Sequence, residues 1–157
     1  MQYFFFIVFC VFSSFTAANE DSSKIFQDGS NPFVMIARLT VKPGKVEEYL
    51  KIADEVDKIT KKEEPGMLFH NFDADPDNPL GFNWTEVYSN SRALIVHLSA
   101  DYALDYVGKH NELADSFSIE IYGDLSQEAI KAVLGLNLPF KHFKTTKVGY
   151  VRTNIFK

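Results

Sequence analysis

Cysteine is almost absent from this sequence. Cys10 is the single cysteine in 157 residues, and it lies in an apolar N-terminal segment. The rest of the chain therefore cannot form a disulfide framework, a cysteine-rich zinc site or a thiol nucleophile. The sequence also lacks the Gly-x-Ser-x-Gly elbow of many serine hydrolases.

Positive charge is scarce too. The chain has 16 Lys and Arg against 21 Asp and Glu, a formal net charge of −5. No basic patch interleaved with aromatic residues occurs, which argues against nucleic acid as a partner. His97 and His110 are not spaced like a helical zinc pair, and the acidic turn after Asp73 lacks the Gly and terminal Glu of a calcium loop. We therefore expect no metal site.

Long hydrophobic runs are missing except at the N-terminus. Residues 1–18 carry no charged side chain, and an apolar run there is followed by small residues ending at Ala18. This predicts a cleaved signal peptide, since the run is too short to span a bilayer core of roughly 30 Å. We expect residues 19–32 to form a flexible leader. The mature protein would be secreted or lie in the lumen of the secretory pathway, without membrane contact. Asn83 begins an Asn-Trp-Thr sequon and is a candidate glycosylation site.

Hydrophobic periodicity predicts helices and strands in regular alternation. The clearest helix covers residues 45–62, where an apolar stripe faces inward and acid–base pairs such as Asp54 with Lys58 and Asp57 with Lys61 face solvent. Ser126 is expected to cap the last helix. The other helices are predicted at 90–98, 102–113 and 127–134, and the strands at 33–41, 67–72, 82–88, 117–122 and 147–153.

This order predicts an α+β fold: a ferredoxin-like βαββαβ antiparallel sheet with helices on one face. Residues 33–124 would form that domain, and residues 125–157 a C-terminal αβ extension packed on it. Val34 and Ile36 lie opposite Met35 on the first strand, so both faces of the sheet are apolar there. A second subunit packed sheet against sheet would cover the bare face, which predicts a homodimer.

The chain resembles the antibiotic-biosynthesis-monooxygenase-like family of dimeric α-β barrels. The resemblance covers about residues 33–123 and is carried by Val-Lys-Pro-Gly-Lys before the long helix, Glu-Pro-Gly after it, and Thr-Glu-Val-Tyr leading into Ser-Asn-Ser-Arg-Ala-Leu. It implies a barrel dimer with a pocket in each subunit. Some relatives oxidise aromatic polyketides with dioxygen and no metal or flavin, others degrade heme, and others have no known activity.

The candidate catalytic groups lie between Trp84 and His97. Trp84, Glu86 and Tyr88 are alternate residues of one strand and share a face, while His97 lies on the next helix. A carboxylate, a phenol and an imidazole are thus predicted to converge at one end of the sheet. Glu86 could orient His97 as a general acid or base, or simply tie strand to helix.

The candidate ligand-binding residues are aromatic or histidine side chains on the same strands and on the following helix. Those of the helix are four residues apart and share one face. They would line an aromatic pocket for a flat ligand, although such side chains are more often plain core. They are Trp84, Phe69, Tyr102, Tyr106 and His110.

Two classes of function remain open. The first is a secreted, cofactor-independent monooxygenase-like enzyme acting on a small aromatic or enolisable molecule, with His97 or Tyr88 taking a proton. The second is a secreted, non-catalytic small-molecule binding protein. A heme-binding or heme-degrading protein is a weaker alternative. Those relatives have Asn on the first strand and Trp at the end of the third, where this chain has Ala37 and Tyr88.

Overall fold

The computed structural model describes residues 31–150, which form five strands and four helices. The predicted signal peptide and nearly all of the predicted leader lie outside the described residues. In chain order the elements are β1 Phe33–Val41, α1 Val46–Glu63, β2 Met67–Ala74, β3 Gly81–Tyr88, α2 Ser91–Ser99, α3 Asp101–Leu113, β4 Ala114–Tyr122, α4 Gln127–Gly135 and β5 Phe140–Phe143.

The five strands form one sheet in the order β2-β3-β1-β4-β5. Adjacent strands among β2, β3, β1 and β4 are antiparallel to each other, and β5 runs parallel to β4. This is the predicted ferredoxin-like βαββαβ sheet with helices on one face, extended by a C-terminal helix and strand. Within the described residues, none of the helices is long and apolar enough to cross a membrane.

Burial alternates along β1, the central strand. Phe33, Met35 and Leu39 are buried against the helices, whereas Val34 and Ile36 are only half-buried on the other face. Successive side chains of a strand point to opposite faces, and the alternation predicted from the sequence is confirmed. The sheet thus has a helix-covered face and a second face, which we call the open face.

Helix α1 follows the predicted pattern, with a narrower buried stripe. Tyr49, Ala53 and Val56 are buried, but Leu50 and Ile59 at the edges of the apolar stripe are 44% and 40% exposed. The cap predicted for the last helix is confirmed. Ser126 accepts a hydrogen bond from the Ala129 backbone N at 3.2 Å. Asn90 similarly caps α2 by accepting from the Ala93 N at 3.0 Å.

The last predicted strand is wrong over the described part of its range. Residues 147–150 form no strand, and residues 151–153 lie outside the described residues. Val148 is 95% exposed, and none of the described strands pairs with it. The strand instead comes earlier, at Phe140–Phe143, because the carbonyl of Pro139 accepts the Ile119 N–H at 2.9 Å and brings the chain alongside β4.

Candidate functional site

A cavity of about 140 Å³ lies between the helix-covered face of the sheet and the helices. Its wall is mostly apolar, and its polar side chains come from β2, β3, α2 and α3. A small apolar cavity with a few convergent polar groups is the usual form of a small-molecule site. The lining residues are Met35, Ala37, Val56, His70, Trp84, Glu86, His97, Leu98, Ala103, Leu104, Tyr106, Val107, Asn111, Phe117, Ile119, Leu136 and Leu138.

His97 reaches the cavity from the last turn of α2 and is anchored by Glu64. The His97 Nδ1–H donates to Glu64 Oε1 at 2.9 Å, and the hydroxyl of Tyr102 donates to the same oxygen at 2.5 Å. Only 12% of the His97 side chain and 3% of that of Glu64 are exposed. With Nδ1 held in this way, Nε2 has no hydrogen-bond partner among the described residues and is free for a ligand.

The two partners shift each other's pKa in opposite directions. Burial lowers the pKa of His97, but the hydrogen bond to Glu64 and the charges of Glu86 and Glu64 outweigh it and raise that pKa above 6.5. Burial likewise raises the pKa of Glu64, but the hydrogen bond and charge of His97, with the Tyr102 hydroxyl, bring it below 4.5. At neutral pH the pair thus contains a carboxylate and a histidine biased towards the imidazolium form.

Glu86 lines the cavity as predicted, but it does not hydrogen-bond His97. Its Oε2 accepts from the Tyr88 hydroxyl at 2.5 Å, and its Oε1 lies 4.0 Å from His70 Nε2. The expected Glu86–His97 pair is therefore replaced by Glu64–His97. Glu64 ends α1 beside α2, closer to His97 than the strand carboxylate is.

Tyr88 is fully buried and does not line the cavity. It stacks on Phe33 with ring centroids 5.2 Å apart. Burial and the neighbouring Glu86 carboxylate raise the pKa of Tyr88 well above 10. A phenol that holds its proton this firmly, donates it to Glu86 and lies outside the cavity lining is poorly placed to take a proton from a ligand.

His70 is a cavity residue that sequence reasoning missed. Its ring stacks on Trp84 at 4.1 Å and 13°, and its Nδ1–H donates to Asp57 Oδ1 at 2.9 Å. A carboxylate only accepts, so Nδ1 carries a proton, and in the neutral ring Nε2 is then the acceptor. Asp57 was predicted to pair with Lys61 on the wet face of α1, and its partner in the fold is His70.

The strand register offers a signal that would have found His70. It pairs directly with Glu86 across the β2–β3 hairpin, and it alternates with Phe69. Folding the sequence about the turn between the two strands would have placed His70 opposite Glu86. Glu64 belongs to the Glu-Pro-Gly motif that carries the family resemblance, but nothing in the sequence selects it over the adjacent Glu63 as the partner of His97.

The aromatic residues of α3 do not form one wall as predicted. Tyr106 lines the cavity, but Tyr102 does not and instead supports Glu64. His110 lies behind the cavity, buried and packed on Phe117 with ring centroids 4.5 Å apart. Phe69 is on the open face, 44% exposed, because it alternates with His70.

A buried chain of hydrogen bonds leads from the cavity to His110. Trp84 Nε1–H donates to the Tyr106 oxygen at 2.7 Å, Tyr106 bonds Tyr49 at 2.6 Å, and Tyr49 bonds His110 Nδ1 at 2.6 Å. Indole only donates, so every group is satisfied when Tyr106 donates to Tyr49 and Tyr49 donates to an unprotonated Nδ1. Burial raises the pKa of Tyr106 to about 12, which keeps it a phenol.

Metal ligation has no support among residues 31–150, where no group of three or more His, Cys, Asp or Glu side chains is placed to hold an ion.

Asn83 lies on the open face, and its Oδ1 accepts from Arg38 Nη1 at 3.1 Å.

The family can be assigned from the sequence together with this fold. A sequence model described as antibiotic biosynthesis monooxygenase matches residues 32–109. Residues 32–109 of the chain belong to this family. The match covers β1 to most of α3, and so includes every polar residue of the cavity except Asn111. The predicted family is thereby confirmed.

Individual relatives extend the comparison. An uncharacterized protein of Synechocystis, sll1783, is 28% identical over 116 residues, covering 73% of this chain and 78% of its own. A proposed antibiotic biosynthesis monooxygenase from Caulobacter crescentus has a similar structure, with a TM-score of 0.56 and 24% identity over 59% of this chain and 88% of its own. MupZ from Pseudomonas fluorescens has a TM-score of 0.62 and 19% identity, over 79% of this chain and 97% of its own. The two structural likenesses show the fold alone.

Proposed function

We propose that this protein is a cofactor-independent monooxygenase-like enzyme acting on a small aromatic or enolisable molecule. One observation carries the proposal: two histidines, each oriented by its own carboxylate, line one small apolar cavity. Asp57 holds His70, and Glu64 holds His97. A base with a dedicated orienting group is the arrangement that general acid–base catalysis requires.

The two histidines suit different roles. Asp57 fixes the His70 tautomer whose Nε2 accepts a proton, so His70 is the candidate base. His97, whose pKa is raised, supplies positive charge that stabilises the carbanion left behind. Their ring centroids are 6.1 Å apart, so both reach the same part of the cavity.

The chemistry balances with dioxygen as the second substrate. His70 takes a proton from an activated CH₂ group, and the carbanion gives its electrons to dioxygen and forms a carbon–oxygen bond. The resulting hydroperoxide loses water and leaves a C=O group, so CH₂ and O₂ become C=O and H₂O. The apolar wall keeps bulk water from protonating the carbanion first.

The proposal is tested by oxygen uptake. Purified protein is incubated with monocyclic phenols and 1,3-dicarbonyl compounds in an oxygen electrode, and the product is analysed for one added oxygen atom. We expect uptake by the wild type, and a loss of about 10²-fold or more in His70→Asn. His142→Asn, which lies on β5 outside the cavity, should keep full activity. An absence of uptake over the whole panel would rule the function out.

A non-catalytic binding protein is the second candidate. The cavity is mostly apolar and close in volume to engineered cavities of about 150 Å³ that hold benzene, so it can retain a ring without reacting with it. Saturable binding of phenol without oxygen uptake would favour this function. A porphyrin is several times larger than the cavity, which leaves the heme alternative without support from the geometry.

We also propose that the open face joins two copies of the chain. One row of this face crosses all five strands and is apolar throughout. The row consists of Phe69, Val87, Val34, Tyr122 and Phe143, of which Phe69, Tyr122 and Phe143 are 39–44% exposed. Light scattering should give twice the monomer mass for the wild type. Val34→Arg, at the centre of the row, should reduce the measured mass to that of a monomer. A wild-type monomer at high micromolar concentration would contradict the dimer.

Export is proposed from residues 1–18 alone. Expression in secreting eukaryotic cells should yield a protein in the medium whose first residue is Asn19. Mass spectrometry of that protein also tests Asn83, since a glycan there would cover the open face and oppose the dimer. Retention of residues 1–18 in the mature protein would contradict the cleaved signal.

A further inference from the structure

Part of the cavity wall comes from outside the region that matches the family. Leu136 and Leu138 line the cavity, whereas the family match ends at residue 109. Both lie in the connection between α4 and β5, and we call residues 136–138 the rim segment. Every other lining residue belongs to a helix or a strand.

The rim segment is fixed at both ends. Helix α4 is anchored before it by Val133, which is 1% exposed, and the Pro139 carbonyl after it accepts the Ile119 N–H of β4 at 2.9 Å. Between them Asn137 adopts a φ of 54°, the left-handed conformation that Asn tolerates better than most residues at a helix end. The turn keeps Leu136 and Leu138 half-buried while Asn137 is exposed.

The segment also borders solvent. Leu104 and Asn111 of α3 line the cavity yet are exposed, so the cavity approaches the surface along α3. The half-buried leucines of the rim segment precede Pro139, whose carbonyl bonds Ile119 of β4, and Ile119 lines the cavity as well. Shortening them would therefore enlarge the cavity from its rim and leave the buried polar groups in place.

We propose that Leu136 and Leu138 set the size of the ligand and restrict it to a single six-membered ring or a carbonyl compound of similar size. The volume of about 140 Å³ fits one ring, and two fused rings need more room. A packed interior accommodates even one extra methylene poorly. The inference rests on the proposed function for its chemistry, but ligand size is a binding property that can be measured without turnover.

The chain supplies its own reporter and its own control. Trp84 is the single tryptophan and lines the cavity, so its fluorescence reports occupancy. Phenol and 1-naphthol are titrated into the wild type and into Leu136→Ala/Leu138→Ala. Leu134→Ala is the matched control, since Leu134 lies two residues before the rim segment, is 56% exposed and does not line the cavity.

We expect the wild type and the control to bind phenol and to exclude 1-naphthol. The double variant should gain affinity for 1-naphthol by about tenfold or more, the usual effect of changing a hydrophobic pocket by a few methylenes. Leu138→Phe should weaken phenol binding, and it covers the case in which the alanine variant fails to fold. Circular dichroism shows whether each variant is folded. Equal preference for the two ligands in the wild type and in every folded variant would overturn the inference.

The outcomes separate this inference from the proposed function. A shift in size preference without oxygen uptake supports the rim segment as the size determinant and rejects the monooxygenase. Oxygen uptake with an unchanged size preference in the double variant supports the monooxygenase and rejects the rim segment as the size determinant.

Discussion

His97 and His110 are both histidines in the last turn of a helix, yet their pKa values move apart. His97 bonds a carboxylate, and its pKa is raised above 6.5. His110 bonds the Tyr49 hydroxyl, and burial together with the charge of Lys42 lowers its pKa to about 4. The end of a helix favours a cation at both positions, so the helix does not explain the difference.

The difference follows from what each histidine faces. Burial disfavours the charged form of both side chains, and a hydrogen bond to a carboxylate together with nearby negative charge can reverse that effect, as Glu64 and Glu86 do for His97. Glu64 supplies this charge to His97, whereas Tyr49 offers His110 a neutral donor. The buried polar groups around the cavity therefore have an ionic end, Glu64 with His97, and a neutral end, His110 with Tyr49.

Glu64→Gln should have the largest effect on the difference between the pKa values of His97 and His110. The amide keeps an acceptor for His97 but removes the charge, which would leave a buried imidazolium without a counter-ion. We expect the pKa of His97 to fall below 6.5 and the free energy of unfolding at pH 6 to drop by about 3 kcal/mol. NMR titration and urea unfolding measure the two effects. Glu63→Gln is the control, because the Glu63 side chain is 51% exposed and should matter little. An unchanged His97 pKa in Glu64→Gln would refute the ionic interpretation.

Tyr49→Phe should disrupt the neutral end, with a smaller effect. It removes the acceptor for the Tyr106 hydroxyl and the donor to His110, leaving two buried polar groups unpaired. Each costs roughly 1–3 kcal/mol when unsatisfied, and we expect a total loss of about 2 kcal/mol in urea unfolding after relaxation. Tyr122→Phe removes an exposed hydroxyl that donates to Glu120 and should cost under about 0.5 kcal/mol. Equal losses in the two variants would show that the buried chain contributes nothing special.

The fold was predictable from the sequence where periodicity defines it. The predicted ends of strand β1 and helix α1 lie within one residue of the observed ends. Both elements alternate apolar and polar residues along the chain, with period two in the strand and period 3.6 in the helix, and this pattern can be read from consecutive residues. Strand β5 was missed because pairing with β4 creates it. Its own four residues show no pattern that distinguishes them from the segment that follows.

The site was predictable only in part, for the same physical reason. That Trp84 and Glu86 share a face follows from strand alternation within β3. That Glu64 bonds His97, 33 residues away, depends on where the fold places the end of α1 relative to α2. From the sequence alone, any of several carboxylates could be the partner of His97, and only the packed structure identifies Glu64.

The two histidines should also make stability depend on pH with opposite signs. His97 has a raised pKa, so its contribution is complete below pH 6.5 and is lost as pH rises through the folded-state value. His110 has a lowered pKa, so the unfolded chain binds its proton more readily, and stability rises from about pH 4 to pH 6.5. Glu64 has a lowered pKa, and its contribution is lost only as pH falls below 4.5.

His110→Gln isolates the second of these effects. Urea unfolding at pH 4.5, 5.5 and 6.5 should give a stability that rises less steeply than in the wild type. His142→Gln, on β5 and away from both ends of the network, controls for the loss of a histidine as such. A slope unchanged from the wild type in His110→Gln would show that another group titrates in this range.

Lys42→Gln should give the smallest effect and so tests which cause dominates at His110. Lys42 Nζ donates to the Glu112 carbonyl at 2.8 Å, and its charge is the second cause of the lowered pKa, after burial. Removing the charge should raise the pKa of His110 slightly, as measured by NMR, and leave it well below 6.5. Because burial is unchanged, the two histidines should remain on opposite sides of that value. A His110 pKa that returned to 6.5 would mean that charge and not burial sets it, and the contrast with His97 would then be one of neighbouring charges alone.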